Sequence, residues 1–153
     1  MSLKRGYIND VLSRAVINLS PFPENSPLAD VLLEVCKQEL EARIEVKPTP
    51  PKDWKREMPE AEHYYEKLVE LLRPFLESPT QQTFDYRQNE LERSKMASAI
   101  SNLSIDLKAQ TIKKGSPYTL RLTKTQATYE QALKNWVEDV ALLAVLREKS
   151  DAA

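Results

Sequence analysis

Glycine is nearly absent from this chain, and the shortage limits the structures that the chain can form. Only Gly6 and Gly115 occur among its 153 residues. Tight hairpin turns need residues at positive φ, which glycine supplies most easily, so the low count argues against sheets joined by such turns. Glycine-rich phosphate cradles are also excluded, because their backbone must approach the ligand without a Cβ in the way.

Residues that carry common catalytic and metal chemistry are equally scarce. The chain has one histidine, His63, and one cysteine, Cys36. Glu60-x-x-His63 resembles half of the pattern that binds iron in four-helix bundles, but the second histidine is missing. Cys36 lies in an apolar run and is expected in the core rather than as a nucleophile beside His63. The sequence therefore predicts no enzyme activity, no cofactor and no metal site. Only a carboxylate cluster assembled by folding is left open.

Long apolar runs are missing as well. No stretch approaches the roughly 18 apolar residues of a membrane-spanning helix, and the residues after Met1 lack the apolar region and cleavage site of a secretory signal. A single cysteine allows no intramolecular disulfide, which fits a reducing compartment. We therefore expect a cytoplasmic protein without membrane contact.

Charged side chains, in contrast, are abundant and unevenly distributed. They make up 29% of the chain, and the net charge is −1. Residues 24–79 have eight basic and thirteen acidic side chains, a net of −5, whereas residues 80–125 have eight basic and four acidic, a net of +4. This distribution fits two surfaces with different partners, and it equally fits ordinary solvation of helices.

Apolar residues at helical spacing predict an all-α fold, a single-domain bundle of about five helices over residues 1–153. One long proline-rich connection is expected at about 46–59, and a short extended piece at 118–124. The helices are expected over about residues 8–19, 27–44, 60–77, 84–113 and 128–146.

The long helix predicted from about Phe84 to Lys113 would be apolar on two sides. One stripe includes Met96 and Ile100, and a second seam repeats every seven residues on nearly the opposite side. Such a helix is either central in a bundle or covered by another molecule. The seam is therefore a candidate protein interface as well as a candidate core. Its residues are Leu91, Ser98, Ile105 and Ile112.

Basic side chains concentrate along the same region and around Gly115. Lysine and arginine neutralise phosphates and release counterions, and an aromatic ring beside them can stack on an exposed base. Lysines that complement a helix dipole next to a solvated turn are the alternative interpretation. The candidate nucleic-acid-binding residues are Arg87, Arg93, Lys95, Lys108, Lys113, Lys114, Tyr118, Arg121 and Lys124.

The five-helix layout, the basic run Lys108–Lys124 and the amphipathic last helix Tyr129–Leu146 resemble the small, all-helical subunits of CRISPR surveillance (Cascade-like) complexes. The resemblance implies a non-catalytic protein of antiviral defence within a larger protein complex, lying beside copies of itself in a filament-like array. It also implies that basic surface residues hold crRNA or single-stranded target DNA. The alternative is a helical-bundle adaptor or assembly factor with no nucleic-acid role.

Overall fold

The computed structural model describes residues 5–12, 14 and 27–151. This part of the chain contains five helices and a three-stranded antiparallel sheet, so the expectation of an all-α fold is wrong. The chain divides into two compact units. The helical unit comprises Met1–Thr49 and Tyr129–Ala153, and the sheet unit comprises Pro50–Thr128. That they act as one domain, as chain length suggests, stays a prediction.

Several elements lie where the sequence predicted them. The second predicted helix starts at Pro27 as expected, the last one extends further than expected, and the extended piece at 118–124 is a strand. The first predicted helix is described only in part, because residues 15–26 lie outside the described residues. The elements in chain order are a π-helical segment (Tyr7–Leu12), α1 (Pro27–Ile44), α2 (Glu66–Glu77), β1 (Thr83–Arg87), α3 (Glu90–Asn102), β2 (Leu107–Ile112), β3 (Thr119–Lys124) and α4 (Ala127–Asp151).

The helical unit has its own apolar core, formed by the π-helical segment, α1 and α4. Cys36 is fully buried in this core, as expected for a small apolar residue. Beside it, the buried carboxylate of Asp139 accepts hydrogen bonds from Arg5 Nη1 and from Asn9 Nδ2, the latter at 3.0 Å. A buried charge is costly unless it is paired, so this cluster joins the start of the described chain to α4. The core residues are Ile8, Cys36, Leu40, Leu143 and Leu146.

The sheet unit packs α2 and α3 against one face of the sheet. α2 is strongly amphipathic, because its apolar residues recur every three or four positions between exposed glutamates. Burial also alternates along β3, where every second side chain points into the core. The core residues of this unit are Leu72, Phe75, Leu76, Tyr86, Met96, Ile100, Leu120 and Leu122.

The proline-rich connection is held to the sheet unit by its backbone. Trp54 N donates to Pro79 O at 3.0 Å, and Arg56 N donates to Leu76 O at 2.7 Å. The Trp54 ring is half-buried, with the Arg56 guanidinium 5.5 Å from its centroid. These contacts fix the loop to the sheet unit around the half-buried Trp54 ring.

The long helix predicted over 84–113 does not exist. Its first residues form β1, its middle forms α3 and its end forms β2. Asn89 starts α3 by accepting a hydrogen bond from Glu92 N at 3.0 Å, a typical N-cap. α3 ends in a run of Ser101, Asn102 and Ser104, side chains that compete with the helix for backbone hydrogen bonds.

The three strands lie in the order β1-β3-β2, and the shortage of glycine does not prevent the hairpin between β2 and β3. This hairpin uses a six-residue loop, 113–118, rather than a tight two-residue turn. Gly115 supplies the single positive φ, 79°, and the Ser116–Pro117 peptide bond is cis. A longer loop needs fewer left-handed residues than a two-residue turn, so one glycine is enough.

Candidate nucleic-acid interface

A surface groove lies between α3 and the β2–β3 hairpin, entirely within the sheet unit. Its volume is about 420 Å³, within the range of small-ligand sites. Three of the candidate residues from the sequence, Arg93, Lys113 and Tyr118, line it. The full lining, which we call the α3–hairpin groove, is Glu90, Arg93, Ser94, Ala97, Thr111, Lys113, Tyr118 and Leu120.

Arg93 and Tyr118 form a pair on the wall of this groove. The Arg93 guanidinium carbon lies 5.4 Å from the centroid of the Tyr118 ring, and its Nε donates to Gln88 O at 3.0 Å. A cation over an aromatic face is attracted by the ring quadrupole, so each side chain restrains the other. The Tyr118 side chain is still 41% exposed. A positive charge and an accessible ring are thus held side by side.

The hairpin loop is braced by Arg87 at the end of β1. Arg87 Nη2 donates to Ser116 O at 3.1 Å, and a Cβ placed on Gly115 would lie 3.5 Å from the same nitrogen. Within the described residues, the exposed lysines Lys113 and Lys114 make no hydrogen bond or ion pair. Two unpaired cations therefore project from a loop that a third cation holds in place.

The face of the sheet turned away from α2 and α3 is polar, and we call it the solvent face. Arg121 lies at its centre, in register with Asp85 of β1 and Gln110 of β2. Its Nε and Nη2 donate to the two carboxylate oxygens of Asp85 at 2.8 and 3.0 Å. This pairing lowers the pKa of Asp85 and raises that of Arg121. The charge of Arg121 is thus balanced, whereas that of Lys108 on the same face is unpaired among the described residues.

Two of the nine candidates lie elsewhere. Lys95 points about 200° around α3 from Arg93, and its Nζ forms an ion pair with Glu92 at 3.1 Å, which raises the Lys95 pKa. Lys124 is only 3% exposed, and this corrects its assignment to a binding surface. Its Nζ donates to Ser78 O at 2.8 Å and lies 4.7 Å from the centroid of the Phe75 ring. β3 alternates faces, and position 124 falls on the core side.

The candidate interface seam is not a single surface. Leu91 and Ser98 share an exposed side of α3, but Ile105 packs against the core of the sheet unit and Ile112 lies on β2. A seven-residue repeat aligns side chains only while one helix continues, and α3 ends at Asn102. The heptad spacing of these four residues therefore has no structural counterpart.

The groove also contains residues that sequence reasoning missed, namely Glu90, Ser94 and Thr111. Glu90 and Ser94 both line the groove because they lie one turn apart on α3, which begins at Glu90 after its N-cap Asn89. The pattern Asn89-Glu-Leu-Glu92 resembles a capping box, with the cap residue three positions before a glutamate. This pattern is a sequence signal for a helix that starts after Asn89.

Two other kinds of site can be assessed within residues 5–12, 14 and 27–151. No three or more histidine, cysteine, aspartate or glutamate side chains are grouped there so as to hold a metal ion. His63 is exposed, and its Nδ1 lies 3.0 Å from Oε2 of Glu66, three residues further along the chain. Among the described helices, none combines the length and the apolar character that crossing a membrane requires.

No protein-family model, curated protein or solved structure matches this chain. The chemistry of the α3–hairpin groove is therefore the basis on which a function can be proposed.

Proposed function

We propose that the protein binds single-stranded nucleic acid without catalysing a reaction on it, as a small subunit of a larger nucleoprotein complex. The binding surface is the α3–hairpin groove with the adjoining loop 113–118. The observation that carries the proposal is the exposed Tyr118 ring, which lines the groove together with Arg93 and the unpaired Lys113, and the unpaired Lys114 lies in the adjoining loop. A cytoplasmic location, expected from the sequence, belongs to the same proposal.

Unpaired cations support a phosphate-binding role for the loop. A lysine that already pairs with a carboxylate loses that pair when it meets a phosphate, whereas Lys113 and Lys114 have no such partner among the described residues to lose. Binding then releases the counterions condensed on the strand. Lys108 lies on β2 of the same hairpin, on the opposite face of the sheet from the groove, and offers a further phosphate contact to a strand that continues past the loop.

An exposed aromatic ring supports a single strand rather than a duplex. Bases of a single strand can leave their neighbours and stack on a side chain, which paired bases cannot do without unpairing. Arg93 holds the Tyr118 ring from one side, so that little rotational freedom is left to lose on binding. The groove lining contains one carboxylate and no histidine or cysteine, and the proposal therefore assigns it binding rather than catalysis.

The resemblance to CRISPR small subunits depends on a helical layout that the structure contradicts, so the proposed strand binding does not rest on it, and membership of a larger complex remains a separate prediction. The basic run Lys108–Lys124 remains, as a β-hairpin rather than as the end of a helix. Membership of an antiviral CRISPR complex, with crRNA or displaced target DNA as the bound strand, stays a prediction. Sequencing of RNA that copurifies with the protein from its own cells would test it.

Fluorescence anisotropy with labelled 12-nucleotide RNA and DNA strands tests the proposed function. We expect salt-sensitive binding, and a loss of affinity of roughly 10- to 30-fold at about 0.1 M salt in Lys113→Gln/Lys114→Gln. The slope of log Kd against log salt should fall by about 1.4, at about 0.7 for each lost phosphate contact.

The matched control is Lys52→Gln/Lys55→Gln, which removes the same charge from exposed positions elsewhere in the sheet unit. Its affinity should stay within about threefold of the wild type. Equal losses in the two double variants would mean that only net charge matters. Absence of binding by the wild-type protein, alone and in its purified complex, would refute the proposal.

A protein adaptor is the second candidate function, and one observation favours it. Leu28, Val31 and Val35 follow one another at helical spacing on α1, and their exposed fractions are 68%, 58% and 38%. An apolar stripe of this kind is typical of a surface that another protein covers. Sedimentation velocity of wild type and Val31→Asp should then show self-association, or a complex with a partner, that the variant loses without unfolding.

A further inference from the structure

Glu90 is the only carboxylate in the lining of an otherwise cationic groove. It is exposed at the first residue of α3, and it makes no ion pair with Arg93 or Lys113, which line the same groove. A negative charge in the first turn of a helix interacts favourably with the helix dipole. Glu92 in the same turn makes this interaction too, and it also pairs with Lys95. The dipole favours an acid at position 90 as well, but it does not explain why this carboxylate lines the groove without pairing with Arg93 or Lys113.

A groove that received only phosphates would be weakened by this charge, because Glu90 would repel them. A base is a better occupant of that position. The Tyr118 ring offers it a stacking surface, and the hydroxyls of Ser94 and Thr111 offer further hydrogen bonds. The phosphates on either side then lie nearer to Lys113 and Lys114, at the hairpin end of the groove.

We infer that the α3–hairpin groove seats one base of the bound strand and favours bases with an exocyclic amino group over uracil and thymine. A carboxylate only accepts hydrogen bonds, and cytosine, adenine and guanine present amino donors to it. Uracil and thymine present one N–H between two carbonyl oxygens, which the carboxylate repels. The inference rests on the proposed function, since it names the bases that the same groove accepts.

Cytosine and thymine strands give the sharpest comparison, because both are pyrimidines of similar stacking strength. We would measure binding of labelled dC12 and dT12 by anisotropy at about pH 8, where cytosine is neutral. Wild-type protein should bind dC12 about fivefold or more tightly than dT12. Glu90→Gln should bring the two affinities to within about twofold, chiefly by strengthening dT12, because the amide also donates hydrogen bonds.

Glu92→Gln is the matched control, since it neutralises the other acid of the first turn of α3 on the side of Lys95. It should keep the preference for dC12. If the wild type binds neither these strands nor the RNA strands, alone and in its purified complex, the proposed function fails. If the wild type binds both strands equally, or if Glu90→Gln retains the preference with an unchanged melting temperature, the proposed function stands and the inference about Glu90 is overturned.

Discussion

At the scale of single residues, neighbouring charges decide which cations can meet a partner. Lys124 is enclosed between Ser78 and the Phe75 ring, and Arg121 is held by Asp85. Lys113 and Lys114 have neither constraint within the described chain. Positive charges that look equivalent in the sequence therefore differ in exposure and pairing, because both are properties of the fold.

Buried Lys124 should make stability depend on pH. Burial lowers its pKa below the usual 10.5, the positive charge of Arg56 lowers it further, and Asp53 opposes both. At pH values between the lowered pKa and 10.5, Lys124 is protonated in the unfolded chain and largely deprotonated in the folded protein. The free energy of unfolding therefore rises with pH in that interval. The free energy of unfolding should therefore rise, relative to that of Lys124→Met, as the pH increases toward 10.5.

Urea unfolding of both proteins across this range provides the measurement. Burial raises the pKa of Tyr86, and ionisation of that phenol in the unfolded chain lowers stability only above about pH 10. Because Tyr86 is present in both proteins, the difference between their curves isolates Lys124. Parallel curves would mean that Lys124 is charged in the folded protein throughout the range.

Release of Arg121 from its partner should strengthen binding. Asp85→Asn removes the carboxylate that balances the Arg121 guanidinium on the solvent face. With one further cation free for a phosphate, the affinity for a 12-nucleotide strand should rise about fivefold at about 0.1 M salt. Glu70→Gln is the control, because Glu70 pairs with Arg73 on α2 in the same way. Equal gains in both variants would contradict a role for the solvent face.

At the scale of elements, side-chain spacing predicts helices well only where nothing interrupts them. The start of α1 follows from Pro27, whereas α2 begins at Glu66, later than its predicted start at about residue 60. The amphipathic pattern of α2 identifies Leu72, Phe75 and Leu76 as buried, but not Val69. Met96, Leu103 and Leu107 have helical spacing, although α3 ends at Asn102. Leu107 fits this spacing because β2 places its side chain against the same core as Met96. Local periodicity cannot distinguish these cases.

Aromatic and polar residues alternate in Thr83–Arg87, with Phe84 and Tyr86 two positions apart. This alternation is the local sequence signal that indicates a strand. Arg93, Lys113 and Tyr118 were identified from composition, but their convergence depends on the antiparallel return of β3 beside β2. Asp85 pairs with Arg121 because of the register between β1 and β3. That register could not be predicted, because residues 84–113 were expected to form a helix. Three of the eight residues that line the groove could therefore be predicted from the sequence, and the shape of the groove could not.

The hairpin loop should depend on Gly115 more than its exposure suggests. At φ 79° an alanine is strained, although its Cβ would meet only Arg87 Nη2 at an ordinary 3.5 Å. Gly115→Ala should therefore cost about 1 kcal/mol of unfolding free energy in urea. Gly6→Ala is the control, because Gly6 is helical without a positive φ and alanine favours a helix. A Gly115→Ala variant as stable as the wild type would exclude this backbone conformation.

At the scale of the whole molecule, the two cores are formed by different parts of the chain. All residues of the core around Phe75 and Leu122 come from Pro50–Thr128, and those of the core around Cys36 come from the remaining segments. We therefore expect residues 50–128, expressed alone, to fold cooperatively and to keep the strand affinity of the full chain. Circular dichroism and anisotropy would measure both. A non-cooperative melt would show that the sheet unit needs the rest of the chain.

The division of the helical unit into two chain segments has a consequence for protein synthesis. The ribosome completes Pro50–Thr128 before it makes Tyr129–Ala153, which contains Asp139, the partner of Arg5. At about 5 to 20 residues per second, the synthesis of Pro50–Thr128 takes several seconds, during which Met1–Thr49 lacks Asp139 and the rest of the last helix. The first segment of the chain is thus the part that waits longest for the contacts of its own unit.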